Sequence, residues 1–288
     1  MMRNKILATL LLAMLALSAC APKATATPVV NTPAPTEAPT ALPTATAEPV
    51  TLTVLAAASL TESFTEIGAA FEAQNPGVTV VFSFAGSQAL AEQINQGADV
   101  DVFASASKKY MTAVVDGGRV TADDAKTFAQ NRLVVIFPKD NPAGLAELKD
   151  LAKAGIKLVL AAQAVPVGQY SLDFLDKASA DPAFGATFKD DVLKNVVSYE
   201  DNVKAVLTKV SLGEADAGIV YVTDITIDAN DKVTRIDIPD ELNTIATYPI
   251  APISNSKNAE IAKAFVDFVL STEGQQILAK YNFITVSK

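Results

Sequence analysis

TLTVLAAASLTESFTEIGAAF, residues 51–71, reads as a strand, a tight turn and a helix, and the rest of the chain repeats and answers that unit. Residues 51–55 are β-branched or apolar and bounded by small residues, as in a buried strand, while Leu60, Phe64, Ile67 and Phe71 recur at helical spacing. The period changes at Ser59. There Ser59 and Glu62 fit an S-x-x-E capping box, which predicts a helix whose free N–H groups open just beyond the strand's carboxyl end. In an open α/β sheet ligands bind at such a place, and a helix start suits an anion. A serine that only caps its helix would be written the same way.

The unit then recurs. GVTVVFSF at 77–84 is a second strand, followed by Ala85, Gly86, Ser87 and a helix carrying Leu90 and Ile94, so Ser87 is placed like Ser59. Two such serines on neighbouring units of one parallel sheet would lie side by side. A third strand spans 100–104, with Asp101 read as structural; a helix at 108–116 ends at Gly117 and Gly118; and NRLVVIF at 131–137 is a strand stopped by Pro138. Beyond it come a short helix at 145–153, a strand at 157–161, the loop VPVGQY at 165–170 opening a helix, a strand at 196–198 and a helix at 202–212. AGIVY at 217–221 is another apolar strand with Tyr221 at its carboxyl end, either packed with a wet tip or touching a ligand. Strands at 232–238 and 247–253 and helices at 258–270 and 272–281 complete the chain. This alternation predicts an α/β fold with parallel sheets, in which 131–137 and 247–253 carry the chain to a second lobe and back.

The first twenty residues carry Arg3 and Lys5, a short apolar run from Ile6, and then Leu17, Ser18, Ala19 and Cys20. That is a basic segment with an apolar stretch too short for a permanent span. It resembles a bacterial lipobox, which implies cleavage before Cys20 and lipidation of its thiol; cleavage after Ala21 is the alternative. Residues 21–50 hold 7 Pro, 7 Thr and 8 Ala and little to bury, so they read as a tether. Thirty such residues reach about 30 Å coiled and about 90 Å extended.

Removing Arg3 and Lys5 leaves 21 Lys and Arg against 32 Asp and Glu, moving the net charge from −9 to −11. Such a balance argues against a nucleic-acid partner, and any anion must be held by local donors instead of the overall field. There is no histidine, and Cys20 is the only cysteine. The mature chain therefore lacks the usual general base, the usual thiol nucleophile and the common transition-metal ligands, and it has neither a P-loop nor a G-x-G-x-x-G motif. The reading is a binding protein, not an enzyme.

With these segments in view, the chain from Leu52 onward resembles the periplasmic molybdate-binding proteins (ModA) of ABC transporters. The likeness is carried by TVLAAASLTESF, FSFAGSQALAEQI, DVFASAS, VPVGQY, EDNVKAVL, GIVYVTD and the tail FVDFVLSTEGQQILAKYNF. It implies a two-lobed periplasmic-binding-protein fold of the class II type, each lobe a mostly parallel sheet flanked by helices with the ligand cleft between them. The expected layout is a signal peptide over 1–19, a lipidated tether over 20–50, one lobe from 51–134 and 250–288, and the other from 135–249. The implied oxyanion donors are the hydroxyl and N–H of Ser59 and Ser87, the N–H of Val167 and Val203, and the hydroxyl of Tyr221. No catalytic residue, cofactor or direct metal-ion ligand is implied. The ligand would be molybdate or tungstate, and the partners an ABC transporter permease and, through Cys20, the outer face of a membrane; the protein would be a monomer outside the cytoplasm. Gly86 and Gln88 stand where that family often has serine, Val167 where alanine is common and Asn282 where the tail usually has glycine; none removes a donor. The alternatives are a binding protein for another tetrahedral oxyanion such as sulfate, or a sensor or stalked surface protein on the same fold.

Overall fold

The computed structural model describes residues 49–286. The expected signal peptide, Cys20 and all but the end of the tether lie outside them. In chain order the elements are β1 (Val50–Ala57), α1 (Thr61–Gln74), β2 (Val78–Ala85), α2 (Ser87–Asn95), β3 (Val102–Ala104), α3 (Lys108–Asp116), β4 (Lys126–Asn131), β5 (Leu133–Pro138) and β6 (Leu158–Ala161). They continue with α4 (Pro166–Ala180), α5 (Phe188–Lys194), β7 (Val196–Glu200), α6 (Val203–Ser211), β8 (Ala217–Tyr221), α7 (Ile227–Asn230), β9 (Val233–Asp237), β10 (Ala246–Pro252), α8 (Ala259–Val269), α9 (Thr272–Lys280) and β11 (Ile284–Thr285).

These strands form two sheets, in the order β11-β4-β10-β3-β1-β2 and β7-β6-β8-β5-β9. The two-lobed α/β architecture is the one expected, but each sheet is mixed instead of mostly parallel. β1 runs parallel to β2 and β3, whereas β10 is antiparallel to β3 and β4, and β11 to β4. In the second sheet β6 is parallel to β7 and β8, while β5 is antiparallel to β8 and β9. The cause is the double crossing. Leu133 enters the second sheet opposite Tyr221, at the carboxyl end of β8, and Ile250 of the returning strand pairs with Ala104, at the carboxyl end of β3. A chain arriving at the carboxyl ends of its neighbours has to run against them.

The crossings lie elsewhere than expected. The apolar run 131–137 is two strands, β4 ending at Asn131 in one sheet and β5 beginning at Leu133 in the other, so a boundary at 134/135 cuts through β5 and one at 249/250 cuts through β10. The sheets change at Arg132 and again between Asp237 and Ala246. Side chains replace the ladder at the break: Arg132 N–H donates to Asn131 Oδ1 at 2.9 Å, and Leu133 N–H donates to Asn243 Oδ1 at 3.0 Å. Asn243 Nδ2 in turn donates to the carbonyls of Leu133 and Ile238, at 2.9 and 3.1 Å, tying one crossing to the other. An amide leaving a sheet in a buried place needs such a partner.

β1 is buried on both faces. Leu52, Val54 and Ala56 meet Phe64, Ile67 and Phe71 of α1, while Leu55 faces Leu90 and Ile94 of α2 and Met111 of α3. The period-2 strand and the period-3.6 helices therefore interlock as their patterns predict. An aromatic cluster centres on Phe64, with Phe128 at 5.6 Å and Phe265 at 6.2 Å between ring centroids. It fastens α8 and β4 onto the same layer. In the second sheet Val206 and Val210 of α6 pack so closely on Gly218 that a Cβ there would come within 3.0 Å of both.

Candidate functional site

The carboxyl ends of β1, β2, β3, β6 and β8 face one another across a small cavity. Ser59 and Ser87 line it from the first sheet, and Val167, Val203 and Tyr221 from the second. All five expected donors are thus brought to one place. No charged residue is among the lining residues.

Ser59 reaches the cavity for a reason that differs from the expected one. A 3-10 turn over Ala58–Leu60 precedes α1, which makes Leu60 the N-cap and leaves the cap without a side-chain hydrogen bond. The capping box does not form. Thr61 Oγ1 instead donates to Ala58 O at 2.7 Å, and Glu62, freed from the box, accepts from Lys204 Nζ of the other lobe at 2.8 Å. Ser59, 3% exposed, keeps its hydroxyl for the inner wall, where its Oγ lies 2.9 Å from Tyr248 Oη.

Ser87 is the first residue of α2, behind an N-cap at Gly86. Its Oγ accepts from Ala106 N–H at 3.0 Å, so its own proton is free to be offered elsewhere. Gly86 permits a close approach between the lobes, since a Cβ on it would lie 2.5 Å from the carbonyl oxygen of Asp201. Gln88, one residue on from Ser87, donates to that same carbonyl at 2.9 Å. The two departures from the family pattern, Gly86 and Gln88, thus both serve the contact between lobes.

On the second lobe two of the expected donors are backbone N–H groups. Val167 is the second residue of α4, after Pro166, and Val203 the first of α6. The N–H groups of a first helical turn have no acceptor within the helix. Asn202 caps α6 through Ala205 N–H at 3.1 Å, leaving the Val203 N–H out of that bond. Gly168 is required where it stands, because a Cβ there would fall 2.1 Å from the carbonyl of Ala162.

Tyr221 ends β8, is 1% exposed, and its Oη has no hydrogen-bond partner among the described residues. Burial, then the neighbouring Tyr248, push its pKa well above the usual phenol value, so it remains a protonated, neutral donor. Its N–H donates to Asp224 Oδ2 at 3.0 Å. Asp224 is wholly buried, and burial raises its pKa against the pull of Lys204, whose Nζ lies 3.3 Å from Oδ1. Burial would lower the pKa of Lys204, but Asp224 and Glu62 outweigh it and hold the ammonium charged. Asp101 is structural as read: it accepts from Thr53 N–H at 2.8 Å and from Ser256 Oγ at 2.5 Å. Asn282 takes φ 65°, the left-handed conformation that glycine would serve.

Sequence reasoning missed Tyr248 and Asn131, which stand behind Ser59. The signal was there in a weak form: a tyrosine inside an apolar strand, and an asparagine where a strand changes sheets.

A family model described as bacterial extracellular solute-binding protein matches residues 52–284. The molybdate-binding protein ModA of Mycobacterium tuberculosis is 37% identical over 81% of this chain and 84% of its own. A putative ABC transporter substrate-binding lipoprotein of Bacillus subtilis, YvgL, is 30% identical over 81% of this chain and 86% of its own. Among solved structures, the substrate-binding domain of a putative molybdenum ABC transporter from Clostridium difficile is 31% identical, with a TM-score of 0.62 over 83% of this chain and all of that one.

Proposed function

The chain belongs to the bacterial extracellular solute-binding proteins, and from that premise we propose that it captures molybdate or tungstate between its two lobes and delivers the ion to an ABC transporter permease. The observation that carries this reading is the character of the cavity wall: two serine hydroxyls, a buried tyrosine hydroxyl without a hydrogen-bond partner among the described residues, two helix starts and no charged side chain. Such a wall offers protons and accepts almost none. An oxyanion that is fully deprotonated at neutral pH needs nothing else, whereas phosphate keeps a proton and requires an acceptor. Sulfate matches in charge but is smaller, so its rejection would rest on the size of the cavity.

The proposed ligands are Ser59 and Ser87 through hydroxyl and N–H, Val167 and Val203 through N–H, and Tyr221 through its hydroxyl. Each bond to an anion contributes roughly 1.5 to 3 kcal/mol, so five to seven of them, less desolvation and closure, reach micromolar to nanomolar affinity. Closure follows because only the closed arrangement presents donors from both lobes to one ion. Among the residues that line the cavity none is a base that could activate either serine, which supports binding without turnover. Lipidation at Cys20 would hold a monomer on the outer face of the membrane, with the tether giving the lobes reach to the permease.

The test is calorimetric titration of the purified protein with molybdate, tungstate, sulfate and phosphate, beside a Ser87→Ala, Tyr221→Ala double variant. Tight binding of the first two ions, lost in the variant, is expected. A folded wild-type protein that ignores all four would sink the reading.

A further inference from the structure

We propose that Asn131 and Tyr248, neither of which lines the cavity, form a one-way hydrogen-bond relay that makes Ser59 an obligate donor and so sets the discrimination against oxyanions that keep a proton. The proposal rests on the oxyanion reading above.

The direction of the relay follows from the partners of one amide. Asn131 Oδ1 accepts from Arg132 N–H at 2.9 Å, so the other end of the amide, Nδ2, is the end that faces Thr223 Oγ1 at 2.8 Å and Tyr248 Oη at 3.2 Å. Turning the amide over would set N–H against N–H. Nδ2 can only donate, hence Tyr248 Oη accepts. The proton of Tyr248 is then directed to Ser59 Oγ, 2.9 Å away. Burial raises the pKa of Tyr248, which keeps that proton in place. Ser59 Oγ accepts in turn, and its own proton has no other protein acceptor among the described residues. It is left to the cavity.

Both Asn131 and Tyr248 are 0% exposed, so water cannot scramble the order. The relay also sits on the crossing. Asn131 closes β4 in the first sheet, while Thr223, its second acceptor, belongs to the turn Val222–Asp224 in the second lobe. Ser87 reaches the same donor state by a simpler route, through Ala106 N–H.

Reversing the relay tests it. In Asn131→Asp the introduced carboxylate meets three groups able to donate: Arg132 N–H, the Thr223 hydroxyl and the Tyr248 hydroxyl. Tyr248 then gives its proton to the carboxylate and accepts from Ser59, whose lone pairs now face the cavity. Sulfate and monohydrogen phosphate are near-equal tetrahedral dianions at pH 8 that differ by the proton phosphate keeps, so the added charge acts on both alike and cancels in the ratio of their affinities.

With full-length protein and displacement of molybdate in the calorimeter, the sulfate-to-phosphate ratio is expected to fall at least about tenfold in Asn131→Asp, as one charge-assisted bond changes sides. Tyr248→Phe, which leaves Ser59 free to turn, should shift the ratio the same way by less. A ratio within about threefold of wild type in folded Asn131→Asp, or equal losses for both ions, overturns the relay. If Asn131→Asp does not fold, an unchanged ratio in Tyr248→Phe overturns it instead. Failure of the oxyanion reading looks different: wild type itself would then bind no molybdate.

Discussion

Tyr221→Phe removes one oxygen atom and isolates what it does. The ring stays, and with it the edge contact to Tyr248, 5.9 Å between centroids at 69°. The backbone bond from Tyr221 N–H to Asp224 is untouched. No hydrogen bond within the protein is lost, because the hydroxyl makes none among the described residues. The melting temperature of the anion-free protein should therefore hardly move, while the molybdate complex loses one charge-assisted bond. At roughly 1.5 to 3 kcal/mol, that is about a 10- to 150-fold weaker dissociation constant by calorimetry. Because burial keeps the phenol protonated, the ratio of wild-type to variant affinity should be flat between about pH 6 and 9. An affinity within about threefold of wild type would refute the assignment of this hydroxyl to the ligand, and a ratio that drifts with pH would refute its description as a neutral donor.

Gly86→Ala puts a Cβ 2.5 Å from the Asp201 carbonyl, against an ordinary contact of 3.4 Å or more, so the lobe edges must part by about 0.9 Å there. Stopped-flow dissociation of molybdate should quicken about tenfold or more with the anion-free melt unchanged, and wild-type kinetics would show that this edge does not close. On the acid side, Lys280 and then Tyr281 donate to Glu66, at 2.7 Å each, and hold its pKa below 4.5. The folded state binds this proton less readily than the unfolded chain, so the stabilisation is present above about pH 4.5 and is lost as pH falls. Melting curves of wild type and Glu66→Gln should converge below that pH; parallel curves would dismiss the clamp. Tyr281, pushed up to about 12 by burial and Glu66, contributes with the opposite sign, its share lasting below about pH 10 and fading as pH rises towards 12.

Much of this was legible in the chain because local periods decide it. The strand-turn-helix units at 51–71 and 77–97, the helix starts at Val167 and Val203, and the end of AGIVY at Tyr221 needed only the change of period and the small residues at each turn. What could not be read is what depends on the partner surface. An unbroken apolar run at 131–137 hides a crossing at Arg132, since a strand's period says nothing about which sheet it joins. Ser59 was located for a partly wrong reason: the capping box is locally sound, but the 3-10 turn shifts the cap to Leu60, and Glu62 finds Lys204 142 residues away. The lobe-to-lobe bond outbids the local one. Tyr248 and Asn131 were invisible for the same reason, because a buried hydroxyl declares its purpose only when its neighbours are known.

An acidic protein that binds an anion has to keep its own charges out of the ion's way, and the arrangement of Lys204 shows how. Its ammonium does not line the cavity; it pairs with Glu62 at 2.8 Å and with Asp224, three residues beyond Tyr221, at 3.3 Å. Glu62 comes from the first lobe and Asp224 from the second, so one charge bridges the lobes and shields the carboxylate that sits behind Tyr221. Gln88 to Asp201 and Tyr110 to Ala164 add further bonds between the lobes. Closure thus draws on ionic and polar contacts outside the cavity, and the cavity itself is left to neutral donors. A lysine inside would have attracted any anion of suitable size, bringing affinity without choice. Hydroxyls and amides held in one orientation reward only an ion whose oxygens all accept, and selectivity then becomes a matter of proton direction and distance, which packing can fix.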